Sequence, residues 1–123
     1  MNIHHELNYV EFASTNLDET KRFYSEAFDW KFNDYGPDYV GIQRKQGDGE
    51  CGGFFRADEV QSGGPLVILY SNNLEQSLEA VTAAGGTITK GIISFPGGRR
   101  FQFADPSGNE LAVWSDAESS TGS

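Results

Sequence analysis

Glu110 is the residue of this chain whose type and position most clearly allow it to take part in chemistry. It lies in a stretch that reads as a β-hairpin, because apolar residues alternate with polar or small ones on both sides of the turn sequence Asp-Pro-Ser-Gly at 105–108. Side chains alternate across a strand, so Leu111 and Val113 share one face while Glu110 and Trp114 share the other. We expect the apolar pair to face a core. A carboxylate on the second face then needs water, a hydrogen-bond partner or a metal ion.

Two further polar residues could join Glu110 in one site. Glu11 falls on the matching face of a first predicted strand, and Gln102 lies on the strand that pairs with Glu110. The alternative for both residues is an ordinary solvated or hydrogen-bonded strand position. His4 and His5 are adjacent, so on an extended chain their side chains point to opposite sides, and we expect two surface imidazoles that do not share a site.

An aromatic and aliphatic surface is predicted around these polar groups. If a helix covers one face of each sheet, the uncovered faces carry the residues of a candidate ligand-binding cleft, namely Tyr9, Glu11, Leu66, Ile68, Tyr70, Gln102, Glu110 and Trp114. Small-molecule sites are built in this way, from aromatic side chains with a few polar groups. The same side chains could equally fill an interface between the two halves of the chain or between two copies of it.

Arg99 and Arg100 are the other notable polar pair, and they follow the turn Gly97-Gly98. The two arginines could meet an anionic group of a ligand, or they could pair with Asp or Glu in an acidic chain. The glycines are weak evidence of a phosphate loop, because no helix begins after them.

The elements that would position these residues come in the same order twice. In the first half the pattern predicts a strand at 7–12, a helix from the cap Asn16 to about Asp29, and strands at 30–32, 39–43 and 52–55. In the second half it predicts a strand at 65–70, a helix from the cap Asn73 to Gly85-Gly86, strands from Thr87 to Ser94, and the closing hairpin. Residues 56–64 suit a linker.

This repetition indicates an α+β fold made of two βαβββ modules. Asn16-Leu17-Asp18 in the first half matches Asn73-Leu74-Glu75 in the second, and the same elements follow each site. We expect one domain over 1–123, with one module at about 1–58, the other at about 65–115 and a flexible tail at 116–123. Each mixed sheet would have one face under its helix, and the open faces would form a concave cleft.

Composition narrows the class of partner. The 123 residues include 9 Lys and Arg against 18 Asp and Glu, a formal net charge of -9. This charge opposes binding to nucleic acid and to anionic membranes. No window approaches the roughly 20 apolar residues of a spanning helix, and no leader pattern is visible at the start. The single cysteine, Cys51, excludes an internal disulfide, so we expect a soluble cytoplasmic protein.

The closing hairpin also carries a family resemblance. Its sequence Phe-Ala-Asp-Pro-Ser-Gly-Asn-Glu-Leu-Ala-Val-Trp at 103–114 resembles that of the vicinal oxygen chelate superfamily, which includes glyoxalase I, the bleomycin and fosfomycin resistance proteins and the extradiol dioxygenases. The resemblance implies paired βαβββ modules, a homodimer and a metal ligand at Glu110. It also places ligands at Tyr9, at Leu66 and on the strand at 52–54, where this chain has a phenol, an aliphatic side chain and no donor.

Two functions from different classes follow from the resemblance. The first is a glyoxalase-like or bleomycin-resistance-like protein that binds a small organic molecule in its cleft without a catalytic metal or other cofactor. The second is a metal-dependent lyase, isomerase or dioxygenase, in which a divalent ion held by Glu110, with Glu11 or Gln102, would polarise a substrate oxygen.

Overall fold

A computed structural model describes residues 2–61 and 63–116 of the chain. The helices and strands are β1 (Val10–Ser14), α1 (Leu17–Phe28), β2 (Phe32–Asp34), β3 (Tyr39–Gln43), β4 (Glu50–Arg56), β5 (Val67–Tyr70), α2 (Leu74–Ala83), β6 (Thr87–Phe95), β7 (Gly98–Ala104) and β8 (Glu110–Asp116). The order is the one predicted from the sequence. Most of the predicted tail, residues 117–123, lies outside the described residues.

The strands form two four-stranded sheets of the same topology. The first sheet has the order β1-β4-β3-β2 and the second the order β5-β8-β7-β6. In each sheet the first and last strands of the module pair in parallel, whereas the remaining pairs are antiparallel. The prediction of an α+β fold with two βαβββ modules and mixed sheets is therefore confirmed.

Both helices begin and end where the local sequence predicts. The side chains of Asn16 and Asn73 accept hydrogen bonds from the backbone N–H three residues later, at 3.0 and 3.1 Å, as N-caps do. After α1, Asp29 adopts the left-handed conformation with φ 59°, which Asp tolerates better than most residues. Gly85, with φ 106°, ends α2. Neither helix among the described residues is long and apolar enough to cross a membrane.

A single apolar core is shared by the two modules. Tyr24 of α1 contacts Phe54 of the first sheet, with ring centroids 5.3 Å apart, and its neighbour Phe23 contacts Phe103 of the second sheet at 6.0 Å. The largest apolar side chains that are fully buried come from both helices and both sheets. They are Phe23, Tyr24, Val40, Phe54, Leu74, Val81, Phe101, Phe103, Leu111 and Val113. The core lies on the helix-covered face of each sheet. We call the opposite faces the first and second open faces.

The turn between β7 and β8 fastens the two modules together. Asp105 accepts hydrogen bonds through Oδ1 from the backbone N–H groups of residues 107–109, and through Oδ2 from the Tyr24 hydroxyl at 2.8 Å. Asn109 donates from Nδ2 to the Ala13 carbonyl of β1 at 2.7 Å. Burial raises the pKa of Asp105, although the donated bonds act in the opposite direction. The hairpin therefore sets the position of β1 against β8.

Candidate functional site

A cleft of about 820 Å³ lies between β1 and the second sheet. Its walls come from β1, from the linker between the modules, from the start of β5 and from the ends of the closing hairpin. This volume lies within the range of small-molecule sites. The cleft opens at the place where the two modules meet, so side chains of both modules line it.

The structure brings half of the predicted cleft residues together. Those that line the cleft are Glu11, Leu66, Gln102 and Glu110. The others, Tyr9, Ile68, Tyr70 and Trp114, lie on the open faces outside the cleft walls. The prediction of one site that contains all eight side chains remains a prediction.

Glu110 is held at the edge of the cleft by two donors. Its Oε2 accepts hydrogen bonds from the Thr89 hydroxyl at 2.7 Å and from Gln102 Nε2 at 3.0 Å. The Thr89 bond is the main reason why the pKa of Glu110 is lowered, and the Gln102 bond is the next. Thr89 lies at an irregularity in the pairing of β6, between Ile88 and Lys90. Such a bulge redirects a side chain, and alternation alone does not predict it.

The donor set around Glu110 does not fit a tightly held divalent cation. Glu11, the other predicted carboxylate that lines the cleft, already accepts a hydrogen bond from the Tyr39 hydroxyl at 3.1 Å. Within residues 2–61 and 63–116, no three His, Cys, Asp or Glu side chains are grouped so that they could hold a metal ion. The positions that the resemblance implied for further ligands carry the Tyr9 phenol and the Leu66 aliphatic side chain, which are poor ligands for such an ion.

The expectation for His4 and His5 was wrong in its geometry. Their rings do not point apart but stack, with centroids 3.7 Å apart. The chain turns there and His5 has φ 67°, so the alternation of an extended strand does not apply. Both residues are exposed, as expected.

Glu50 is a carboxylate on the first open face that sequence reasoning missed. The prediction that the last strand of the first module has no donor side chain was wrong, because β4 begins at Glu50. The pairing of β3 with β4 changes register there, from Ile42 opposite Gly52 to Gln43 opposite Glu50. This bulge turns the Glu50 side chain to the open face. Each module thus has a glutamate as the first residue of its last strand.

Side chains of the first open face form a continuous network around Glu50. Its Oε2 accepts bonds from the Tyr35 hydroxyl at 2.5 Å and from Asn33 Nδ2 at 2.8 Å. These two bonds lower the pKa of Glu50, with the Tyr35 bond contributing most. The hydroxyls of Tyr9 and Tyr39 lie 2.5 Å apart and extend the network. Burial is the main cause that raises the pKa of Tyr39.

Two glycines make room for this network. Gly41 and Gly53 are opposite each other on β3 and β4. A methyl group on Gly41 would collide with the Glu50 carboxylate, and one on Gly53 would collide with the Tyr39 phenol. The glycine pair therefore lets the polar side chains lie flat on the sheet.

The second open face carries an aromatic group away from the cleft. Tyr70 meets Trp114 edge to face, with ring centroids 5.3 Å apart, and Phe95 lies 6.5 Å from Trp114. Tyr70, Phe95 and the neighbouring Ile68 are exposed. Exposed apolar side chains grouped in this way mark a surface that binds a ligand or a protein.

The chain matches one family and several solved structures of that family's fold. The model of the Glyoxalase/Bleomycin resistance protein/Dioxygenase superfamily matches residues 6–113. A glyoxylase-like domain-containing protein of Didymella fabae is 27% identical over 122 residues, which cover 92% of this chain and 95% of that protein.

Two solved structures illustrate the likeness in fold. A glyoxalase/bleomycin resistance protein/dioxygenase family enzyme of Burkholderia phytofirmans superposes with a TM-score of 0.77 at 16% identity, over 90% of this chain and 98% of that one. The second is a mutant fosfomycin resistance protein of Listeria monocytogenes, complexed with Mn(II) and a dihydroxypropylphosphonic acid. It superposes with a TM-score of 0.76 at 14% identity, over 96% of each chain.

Proposed function

This chain belongs to the glyoxalase/bleomycin resistance protein/dioxygenase superfamily, and from that premise we propose that it binds a small organic molecule in its cleft without a catalytic metal. The observation that carries the proposal is the cleft between the modules, where Glu11, Gln102 and Glu110 are set in largely apolar walls. A few polar groups in an apolar cleft orient a ligand.

The chemistry of the donors favours binding over metal catalysis. In the fosfomycin resistance structure a metal ion and an organic acid are present together. In this chain, Oε2 of Glu110 accepts two hydrogen bonds from neighbouring side chains, and these bonds stabilise the carboxylate without an ion. Glu110 would then act as a hydrogen-bond acceptor for the ligand.

Metal analysis of the purified protein tests the metal-free part of the proposal. We expect Ni, Zn, Fe and Mn well below one equivalent per chain, and no difference between the wild type and Glu110→Ala. A stoichiometric ion that is lost in Glu110→Ala would favour the alternative, a metal-dependent lyase, isomerase or dioxygenase, and would overturn the proposal.

A fluorescent probe tests the cleft itself. N-phenyl-1-naphthylamine is neutral and apolar, and its emission rises in an apolar site. Ala13 lines the cleft, so the larger side chain of Ala13→Phe would occupy the space that the probe's rings need. We expect this variant to bind the probe about tenfold or more weakly, because the displaced rings lose their buried apolar contacts. The matched control is Ala83→Phe, which adds the same group at an exposed position of α2. Equal affinities of the two variants would contradict binding in the cleft.

We propose a homodimer as the assembly and the cytoplasm as its setting. The first open face exposes large apolar side chains, among them Tyr9 and Phe55, and such surfaces are often buried against a second copy. Cys51 is free, which suits a reducing compartment. Light scattering after size exclusion should give twice the mass of the chain, and a monomer at micromolar concentration would contradict the dimer.

A further inference from the structure

The two adjacent arginines of β7 have different roles in the structure. Arg99 donates from Nη1 and Nη2 to the two carboxylate oxygens of Glu75, at 2.7 and 3.1 Å. Arg100 points to the opposite side of the strand, onto the second open face with Gln102. The pairing with Asp or Glu that the sequence allowed for both arginines is thus made by Arg99.

Arg100 is half-buried without a counter-ion. Its Nε is buried and has no hydrogen-bond partner within the described part of the chain. No carboxylate of residues 2–61 and 63–116 lies within ion-pair distance of it. An unpaired, partly desolvated charge is costly, and buried polar atoms without a partner are rare in proteins. This is unexpected in a chain with twice as many acidic as basic residues, 18 against 9.

The surroundings of Arg100 are aromatic and aliphatic. Trp114 is its direct neighbour on β8 and Ile93 its neighbour on β6. Tyr70 and Phe95 complete the group through their contacts with Trp114. The Tyr70 hydroxyl forms a hydrogen bond with the Asp116 side chain. A guanidinium among exposed aromatic rings can bind an acid group of a ligand while the rings contact the ligand's apolar body.

Arg100 also lies within reach of the cleft. Gln102, which lines the cleft, is the next residue of β7 on the same face, about 7 Å further along the strand. A ligand of two fused or linked rings is long enough to span this distance. The cleft end of the face carries the Glu110 carboxylate, so the two ends have opposite charges.

We propose that Arg100 recognises the acid group of the ligand, and that the ligand is an organic anion with an apolar or aromatic body, such as a carboxylate, phosphonate or sulfonate. The inference rests on the proposed function, because the body of the same ligand would occupy the cleft. The inference specifies the charge of the ligand and the residue that binds its charged group.

Two probes that differ by a single sulfonate test this inference. They are 8-anilinonaphthalene-1-sulfonate and the neutral N-phenyl-1-naphthylamine. We expect wild-type protein to bind the sulfonate probe more tightly than the neutral probe, in spite of the net charge of -9. Arg100→Gln should lower the affinity for the sulfonate probe by about tenfold or more, as loss of a charge-assisted bond does. The affinity for the neutral probe should change by less than about twofold. Arg99→Gln is the matched control and should leave both affinities unchanged.

The possible failures can be told apart. If Arg100→Gln binds the sulfonate as tightly as wild type while the neutral probe still binds, the inference is overturned and the proposed function stands. If wild type binds neither probe, both are overturned. If Arg100→Gln changes only the mass in light scattering, Arg100 pairs with a second copy and the inference is overturned.

A second comparison covers the case in which Arg100→Gln does not fold. Arg100→Lys keeps the charge but loses the planar fork, so it should retain part of the preference for the sulfonate. Wild-type protein alone is also decisive, because a sulfonate affinity no higher than that of the neutral probe would overturn the inference.

Discussion

Replacing Tyr24 by Phe removes one hydroxyl and should destabilise the junction of the two modules. Tyr24 is 0% exposed and Asp105 4% exposed, and the bond between them is 2.8 Å long. A buried hydrogen bond to a charged group contributes about 1.5–3 kcal/mol. Asp105 keeps its other donors in the variant, so we expect a loss near the lower end, about 2 kcal/mol of unfolding free energy. For a domain of this size the melting temperature should fall by about 8 °C.

The loss should depend on pH. Burial raises the folded-state pKa of Asp105, so the contribution of this acid to stability is fully present below its unfolded pKa and is lost as the pH rises through the folded pKa. The Tyr24 hydroxyl favours the charged carboxylate and opposes that loss. The cost of Tyr24→Phe should therefore be largest above the folded pKa of Asp105 and should shrink as the pH falls through it.

Urea denaturation followed by far-ultraviolet circular dichroism measures the effect, with the m-value as a check that unfolding remains two-state. Tyr35→Phe is the matched control, because Tyr35 is 57% exposed and its hydroxyl also donates to a carboxylate. We expect it to cost much less unfolding free energy than Tyr24→Phe does, because solvent screens an exposed bond. A Tyr24→Phe variant as stable as Tyr35→Phe would refute the role assigned to the Tyr24–Asp105 bond.

Two further predictions concern the open faces. Gly53→Ala would push a methyl group into the Tyr39 phenol and should lower the unfolding free energy measured in urea by about 1–3 kcal/mol. Gly91→Ala places its methyl group where nothing lies within 4 Å, so its unfolding free energy should be nearly that of wild type. Equal costs of the two variants would contradict this steric account. Thr89→Val removes the main cause of the lowered pKa of Glu110, so this pKa should rise towards its ordinary value in an NMR titration of the side-chain carboxyl carbon, and an unchanged pKa would count against the Thr89 bond.

The sign of the Glu110 effect on stability follows from the same pKa. Because the folded-state pKa of this acid is lowered, its contribution to stability is present above the unfolded pKa of about 4.3 and is lost as the pH falls through the folded pKa. The cleft thus keeps its Glu110 carboxylate at neutral and mildly acidic pH. A ligand that binds there at neutral pH meets a hydrogen-bond acceptor.

Local features of the sequence were sufficient to predict the order of the elements, the helix ends and the core face of the last strand. The caps Asn16 and Asn73 and the left-handed Asp29 are properties of a few consecutive residues. The alternation of Leu111 and Val113 with Glu110, Ala112 and Trp114 correctly assigned the core face of β8. These signals are short-range, so the sequence displays them directly, and their repetition revealed the two modules.

The content of the candidate site depended on long-range packing. Bulges opposite Ile42 and near Thr89 decide which side chains reach the open faces, and a bulge arises from the fit between strands that are far apart in sequence. For the same reason the sequence could not predict which of the two arginines pairs with an acid. The structure shows that Arg99 pairs with Glu75 of α2.

By itself, the sequence determined the doubled βαβββ order, the family resemblance and the place of Glu110 on an uncovered face. Only the tertiary structure decided that Glu50 is its counterpart in the first module, that Tyr24 and Asn109 join the modules, and that the cleft takes some of the predicted residues and leaves others outside. The physical reason is that hydrogen-bond caps and alternation act between neighbours along the chain, whereas strand register and the meeting of two sheets are set by contacts across it.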